Sequence, residues 1–202
     1  MVFEGAMVAP SELVRRAREQ VEAVDHAAVH TRPTVAVTRP IAGWTSPPVG
    51  YVKVNWDASI SKQQNKMGVG LAVRDHTGQV WVMACATKDF INDPTTAEAV
   101  GAWFTVALAK RLGLRQVIME GDSLEVVQAI NREGNCWTAY GPIVNDIKDD
   151  LRSWQGWVFQ HTSWRSNGVA RQLAHLAFKH GEGREWVADF PLHVEENVIV
   201  AV

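Results

Sequence analysis

The sequence predicts an α/β domain with a five-stranded mixed sheet and helices on its faces. Three observations carry that prediction. Segments alternating between apolar and polar residues, the period of a strand, recur after residue 50. Segments with apolar residues at helical spacing lie between them. Their order is β-β-β-α-β-α-α-β-α, so three strands join by short turns and the later two arrive through helices. Such an order makes a sheet antiparallel on one side and parallel on the other.

The first strand is "YVKVNWDASI", where Val52, Val54, Trp56 and Ala58 alternate with Lys53, Asn55, Asp57 and Ser59. "MGVGLAVRD" and "QVWVMACAT" follow, and Asp75 and Gly78 between them suit a hairpin turn. "TTAEAVGAWFTVALAKRLG" is a helix in which only Thr105 is polar between Ala99 and Ala109. A helix so apolar belongs against both the sheet and another helix. "RQVIMEG" is a short strand and "DSLEVVQAINREG" a helix ending at Gly134. "YGPIVNDIKDDLRSW" keeps Ile143, Ile147, Leu151 and Trp154 on one face. "GWVFQHTSW" is the fifth strand, and "SNGVARQLAHLAFKH" closes with Val169, Leu173, Leu176 and His180 in register. Trp56, Trp81 and Trp103 fall on core positions.

Upstream, residues 11–30 read as a helix capped by Ser11. His26 and His30 stand four apart there, without a third metal ligand nearby, which suits a solvated face. "TRPTVAVTRPIAGWTSPPVG" holds four of the eight prolines and reads as an extended linker. The expected division is a helix and linker over 1–50, a compact domain over 51–195 and a tail over 196–202.

With 202 residues, 47% hydrophobic and 21% charged, the composition is that of an ordinary globular protein. A net charge of −2 offers no global basic field, so a nucleic acid would have to be held by a local patch. Cys85 and Cys136 are too few for a disulfide scaffold and lack metal-ligand spacing. They fit a reducing compartment, so an intracellular protein, nuclear or cytoplasmic. "MVFEGAMVAP" lacks the basic start and apolar core of a secretory signal, and no apolar run is long enough to span a bilayer. A monomer is assumed.

Three acids sit where such a sheet gathers residues: Asp57 in the first strand, Glu98 in the first turn of the first helix, and Asp122 where the fourth strand runs out. Each has a structural reading. "TTAE" is a capping box with Thr95 as cap, "DSLE" another with Asp122 as cap and Glu125 reaching back, and Asp57 can face water. As a set they repel one another, and divalent metal is the natural counter-charge. All-oxygen ligation points to Mg²⁺ or Mn²⁺, and paired ions clamped by carboxylates suit in-line displacement at a phosphodiester.

"KVNWDAS", "GVGLAVRDHTG", "TTAEAVGAW", "IMEGDSLEVVQAI" and "SWRSNGVARQLA" resemble, in order and spacing, the ribonuclease H domain of plant non-LTR retrotransposons and their domesticated relatives. The likeness runs over roughly residues 44–195, including the opening "WTSPPVGYVKVN" and the tail "EWVADFP". It implies a ribonuclease H-like fold with strand order 3-2-1-4-5 and two-metal cleavage of the RNA strand of RNA/DNA hybrids. Carried over, the catalytic and metal-binding acids are Asp57, bridging both ions, Glu98 and Asp122.

The fourth position departs from the family pattern. Where relatives place Asp, or His in many plant members, this chain has Arg171, in a register fixed by Ala170 and Leu173-Ala174. Arg cannot ligate a cation. Pointing at the site, it competes with the weaker-held ion; swung out, it can grip phosphate; on a decayed surface it does neither. "SWRSNG" is too short for the His-bearing loop of bacterial-type members, and with one helix between Gly134 and Trp157 the basic protrusion of some members is missing. Lys62, Lys66, Arg74 and Arg165 are then the cations available for substrate, while Asn55, Ser59 and Asn167 can read a 2′-hydroxyl. Asn167 is also a helix-cap residue. His161 reads as structural. The resemblance therefore implies a hybrid ribonuclease; the alternatives are a non-catalytic module of the same fold binding nucleic acid or protein, and an exonuclease or transposase-like relative.

Overall fold

The computed structural model describes residues 43–181 and 183–187. The expected N-terminal helix with its His26 and His30, most of the linker and the tail lie outside the described residues. Strands β1 (Val52–Ser61), β2 (Lys66–Arg74) and β3 (Val80–Asp89) form an antiparallel meander. Helix α1 (Pro94–Arg111) leads to β4 (Val117–Gly121), α2 (Leu124–Asn131) and α3 (Gly141–Leu151) to β5 (Trp157–His161). Helix α4 (Gly168–His180) precedes a short β6 (Arg184–Trp186).

The sheet order is β5-β4-β1-β2-β3-β6. The expected order 3-2-1-4-5 is present, with β4 parallel to β1 and β5 parallel to β4. A sixth strand extends the sheet beyond the five expected: β6 pairs antiparallel with β3, and Arg111 of α1 is ion-paired to its Glu185. Three residues are too few for a period of two to be read, so this strand leaves no pattern in the sequence.

Helices cover both faces. On one, α1, α2 and α3 bury a core that includes Val54, Trp56, Leu71, Phe104 and Ile147. Helix α1 is buried all along its length, as its composition requires, and Thr105 satisfies its hydroxyl on the Gly101 carbonyl. On the other face, α4 lays Val169, Leu173, Leu176 and Ala177 against Ala72, Met83 and Cys85. This second interface is unusually close because β2 presents Gly68 and Gly70. A Cβ on Gly70 would overlap the Ala170 carbonyl and the Ala174 amide.

Two covered faces change the meaning of the β1 alternation. Three of its polar residues do not face water: Lys53, Asn55 and Asp57 are buried alongside Val54 and Trp56. Lys53 pairs with Glu120 at 2.7 Å and donates to the Thr45 carbonyl. Asn55 accepts from the Trp44 indole at 2.8 Å and donates to Glu120. Arg74, expected at the surface for substrate, is buried too. Its guanidinium lies 4.1 Å over the Trp44 ring and reaches Asn55. Trp44 thus covers a polar layer that continues, two residues along β1, into Asp57.

Among the described residues, no helix is long and apolar enough to cross a membrane. Cys85 and Cys136 are free thiols.

Candidate functional site

β1 is buried from Val52 to Asp57, and its last four residues are only partly covered. Asp57 therefore stands where the central strand leaves the core. In the parallel pair, Asn55 lies opposite Glu120, and two residues further brings Asp122 level with Asp57. Glu98 approaches from α1 and accepts from the Ala58 amide at 3.2 Å. The three carboxylates converge, each offering an oxygen within 4.8 Å of the others.

Neither helix-start acid serves as a cap. Asp93, not Thr95, caps α1, accepting from the Thr96 amide and hydroxyl. The helix begins at Pro94, so Glu98 sits in its second turn, not its first. Ser123, not Asp122, occupies the cap of α2, and Glu125 accepts from the Tyr140 hydroxyl instead of reaching back. The structural duties expected of both acids fall to neighbours, which leaves Glu98 and Asp122 to the cluster.

The start of α4 closes the site from the other side. Asn167 donates from Nδ2 to the Trp56 carbonyl at 2.6 Å and to Asp57 Oδ1 at 3.3 Å. Two turns on, His175 Nε2 lies 3.5 Å from Ser59 Oγ. Across the site, His161 Nε2 lies 3.2 Å from the Asp122 carbonyl. Three positions before Asn167, the exposed Trp164 ring lies 5.4 Å from the Arg165 guanidinium and 5.2 Å from that of Arg171.

The sequence model of the Reverse transcriptase-like family matches residues 55–177, from β1 through α4 with all three acids inside. The chain belongs to that family. Among solved structures, the reverse transcriptase-like domain is similar to ribonuclease H1 of Halobacterium salinarum, at 18% identity and TM-score 0.55, over 65% of this chain and 99% of that one. LC11 ribonuclease H1 in complex with an RNA/DNA hybrid matches at 14% identity and TM-score 0.57, over 64% and 98%. A foamy viral protease-reverse transcriptase in complex with an RNA/DNA hybrid matches at 15% and 0.52, over 73% of this chain and 22% of that one. Identities this low establish the fold, which is ribonuclease H-like. No curated protein matches the sequence.

In this reverse transcriptase-like domain the acids pull against their surroundings. Burial, and after it the charge of Asp122, raises Asp57 from 3.8 to about 7; Arg171 and the Asn167 hydrogen bond oppose the rise. Glu98 is raised well above its ordinary value by burial and then by Asp57 and Asp122. Asp122 is raised by burial, with Arg171 and His161 working against it. Glu98 Oε2 is buried and without a hydrogen-bond partner, and so is the Trp56 indole N–H. The indole favours ionised Glu98 from nearby without the alignment of a hydrogen bond. A carboxylate oxygen left bare among like charges is what a hard cation would satisfy, so the donor set fits Mg²⁺ or Mn²⁺.

The residues expected at the substrate divide. Asn55 and the Asn167 Nδ2 are buried and hydrogen-bonded inside the protein, at the floor of the site, which takes them away from a 2′-hydroxyl. Asn167 heads α4 without a side-chain cap bond. Arg74 is buried, and Lys66 pairs with Asp89 at 3.4 Å. Ser59 and Arg171 are partly covered, and Arg165 and Lys62 are exposed. Trp164 and His175 were missing from the sequence reading. The only signal for Trp164 was its place in "SWRSN"; for His175 it was the spacing of four from Arg171 along the closing helix. A concavity of about 370 Å³, lined by Arg132, Lys148 and Trp157 among others, lies away from the acids. Its Lys148 is taken up by the carbonyls of Arg132 and Gly134.

Proposed function

We propose that this domain is a divalent-metal-dependent ribonuclease that hydrolyses the RNA strand of RNA/DNA hybrids. The observation that carries the reading is Glu98, whose Oε2 is buried with no partner and whose carboxylate converges with two more on a ribonuclease H-like fold. The hybrids bound by LC11 ribonuclease H1 and by the foamy viral enzyme point to the same substrate class.

Asp57, Glu98 and Asp122 would hold the cation, Mg²⁺ or Mn²⁺. When bound, such an ion acidifies an attacking water and offsets the charge that develops on the phosphodiester oxygens. The protein supplies the rest. Asn167 fixes Asp57 by its side-chain amide, and the Ala58 amide fixes Glu98, so both carboxylates are oriented before substrate arrives. Ser59, two residues along β1 from Asp57, would read a 2′-hydroxyl, and the exposed Arg165 would grip a phosphate. Two ions are the number implied by the family resemblance, as is an origin in a retroelement.

A labelled RNA/DNA hybrid incubated with Mg²⁺ or Mn²⁺ tests the reading. Cutting confined to the RNA strand, dependent on metal and abolished in Asp57→Asn, is the expected result. Arg171 favours a second reading, a domain of this fold that binds hybrid without cutting it, because its fixed positive charge stands beside the ligands. Tight hybrid binding by an uncut parent, under both metals, would establish that reading and sink the first.

A further inference from the structure

We propose that Arg171 acts as a built-in cation and limits the acid cluster to one divalent ion. The inference rests on the cluster being a metal site, and it revises the number of ions that the resemblance implies.

Asn167, Arg171 and His175 are spaced four apart and share one face of α4. Asp57 and Ser59 share one face of β1. Asn167 touches Asp57, and His175 lies against Ser59. Arg171 is therefore fixed between those two contacts, one helical turn from each, above the strand that carries Asp57. The close approach of α4 to Gly68 and Gly70 holds the helix at that height. The guanidinium rests 5.2 Å from the centre of the Trp164 ring. None of the contact-distance ion pairs among the described residues involves it. Its charge is thus near the carboxylates without being spent on any one of them.

Three ionised carboxylates beside one guanidinium leave two negative charges, which one divalent ion neutralises. A second ion would turn the site positive next to a group that cannot lose its proton. One buried carboxylate oxygen of the cluster, Glu98 Oε2, has no partner and marks where positive charge is wanted. That oxygen is left without a hydrogen bond, so the guanidinium does not satisfy the site by itself. The first ion has a place; the second has none.

The test counts Mn²⁺ bound to the full chain by electron paramagnetic resonance, for the parent, Arg171→Lys, Arg171→Gln and Arg171→Asp. One ion is expected in the parent and in Arg171→Lys, which keeps the charge, and two in Arg171→Asp. Arg171→Gln should hold its first ion about tenfold more tightly, since one repulsive charge is gone. That shift carries the test if Arg171→Asp does not fold. Two ions in the parent overturn the inference, as do one ion in a folded Arg171→Asp or an unchanged affinity in Arg171→Gln. A parent that holds two ions and cuts the hybrid removes this inference alone. No Mn²⁺ in any variant removes the metal reading as well.

Discussion

Glu98 reaches the cluster with one carboxylate oxygen tied to the Ala58 amide and the other bound to nothing. Without metal that arrangement opposes folding. Asp57 titrates near 7 instead of 3.8, and Glu98 and Asp122 are also raised, so the folded chain keeps protons that the unfolded chain releases. Stability from this source is complete below about pH 4 and is lost as pH rises through about 7. For Asp57 alone the span is on the order of 4 kcal/mol. The melting temperature in EDTA should therefore fall between pH 5 and pH 8, and the rise produced by added Mn²⁺ should grow over the same range. A flat profile in EDTA would mean the acids are not linked to folding. At pH 8, Glu98→Gln should stabilise the metal-free fold by about 1–2 kcal/mol in urea denaturation while abolishing the response to Mn²⁺. At this scale the sequence was half legible. The residue type and order of the three acids could be read directly. The burial of Lys53, Asn55 and Arg74 could not, because alternation reports a strand's period and not what covers its second face.

Among the elements, the seam between β2 and α4 does most to place the site. Gly68 and Gly70 let the α4 backbone lie almost on the strand, and that depth brings Asn167 to Asp57. Gly70→Ala adds a single carbon, but it lands on backbone that cannot step aside. The expected cost is about 2–3 kcal/mol in chemical denaturation, with weaker Mn²⁺ binding because the Asn167 contact stretches. Unchanged metal affinity in a destabilised Gly70→Ala would show that α4 does not set the geometry of the acids. The elements themselves were largely legible. Helix periods and turn residues located most of each long element, and the parallel and antiparallel halves followed from their order. Helix starts were less so. "TTAE" satisfies a capping pattern, yet Asp93 lies just before Pro94, and proline at the first helical position shifts the start so that Asp93 takes the cap.

For the molecule as a whole, the net charge of −2 leaves no field to draw in a polyanion, so any grip on a hybrid must be local. Arg171 lies near the acids, and Arg165 joins it round the exposed Trp164. The overall fold class could be read from the sequence because it depends on the order of long elements. The tie between the first strand and the chain before it could not, because "TSPPVG" reads as linker and gives no hint that Trp44 folds back. That indole is stacked on Arg74 and bonded to Asn55, two residues from Asp57. It makes the upstream chain a fastening for the floor of the site. A protein begun at Tyr51 would keep every acid and every strand, but water would reach the Arg74 and Asn55 layer from below. Its melting temperature should drop by several degrees, as for the loss of about 1–3 kcal/mol of buried polar pairing, and its Mn²⁺ affinity should fall with it. In effect the central strand is clamped at both ends, by α4 where it leaves the core and by Trp44 where it enters. Shortening the chain to its apparent minimum would loosen that clamp before it removed a single ligand.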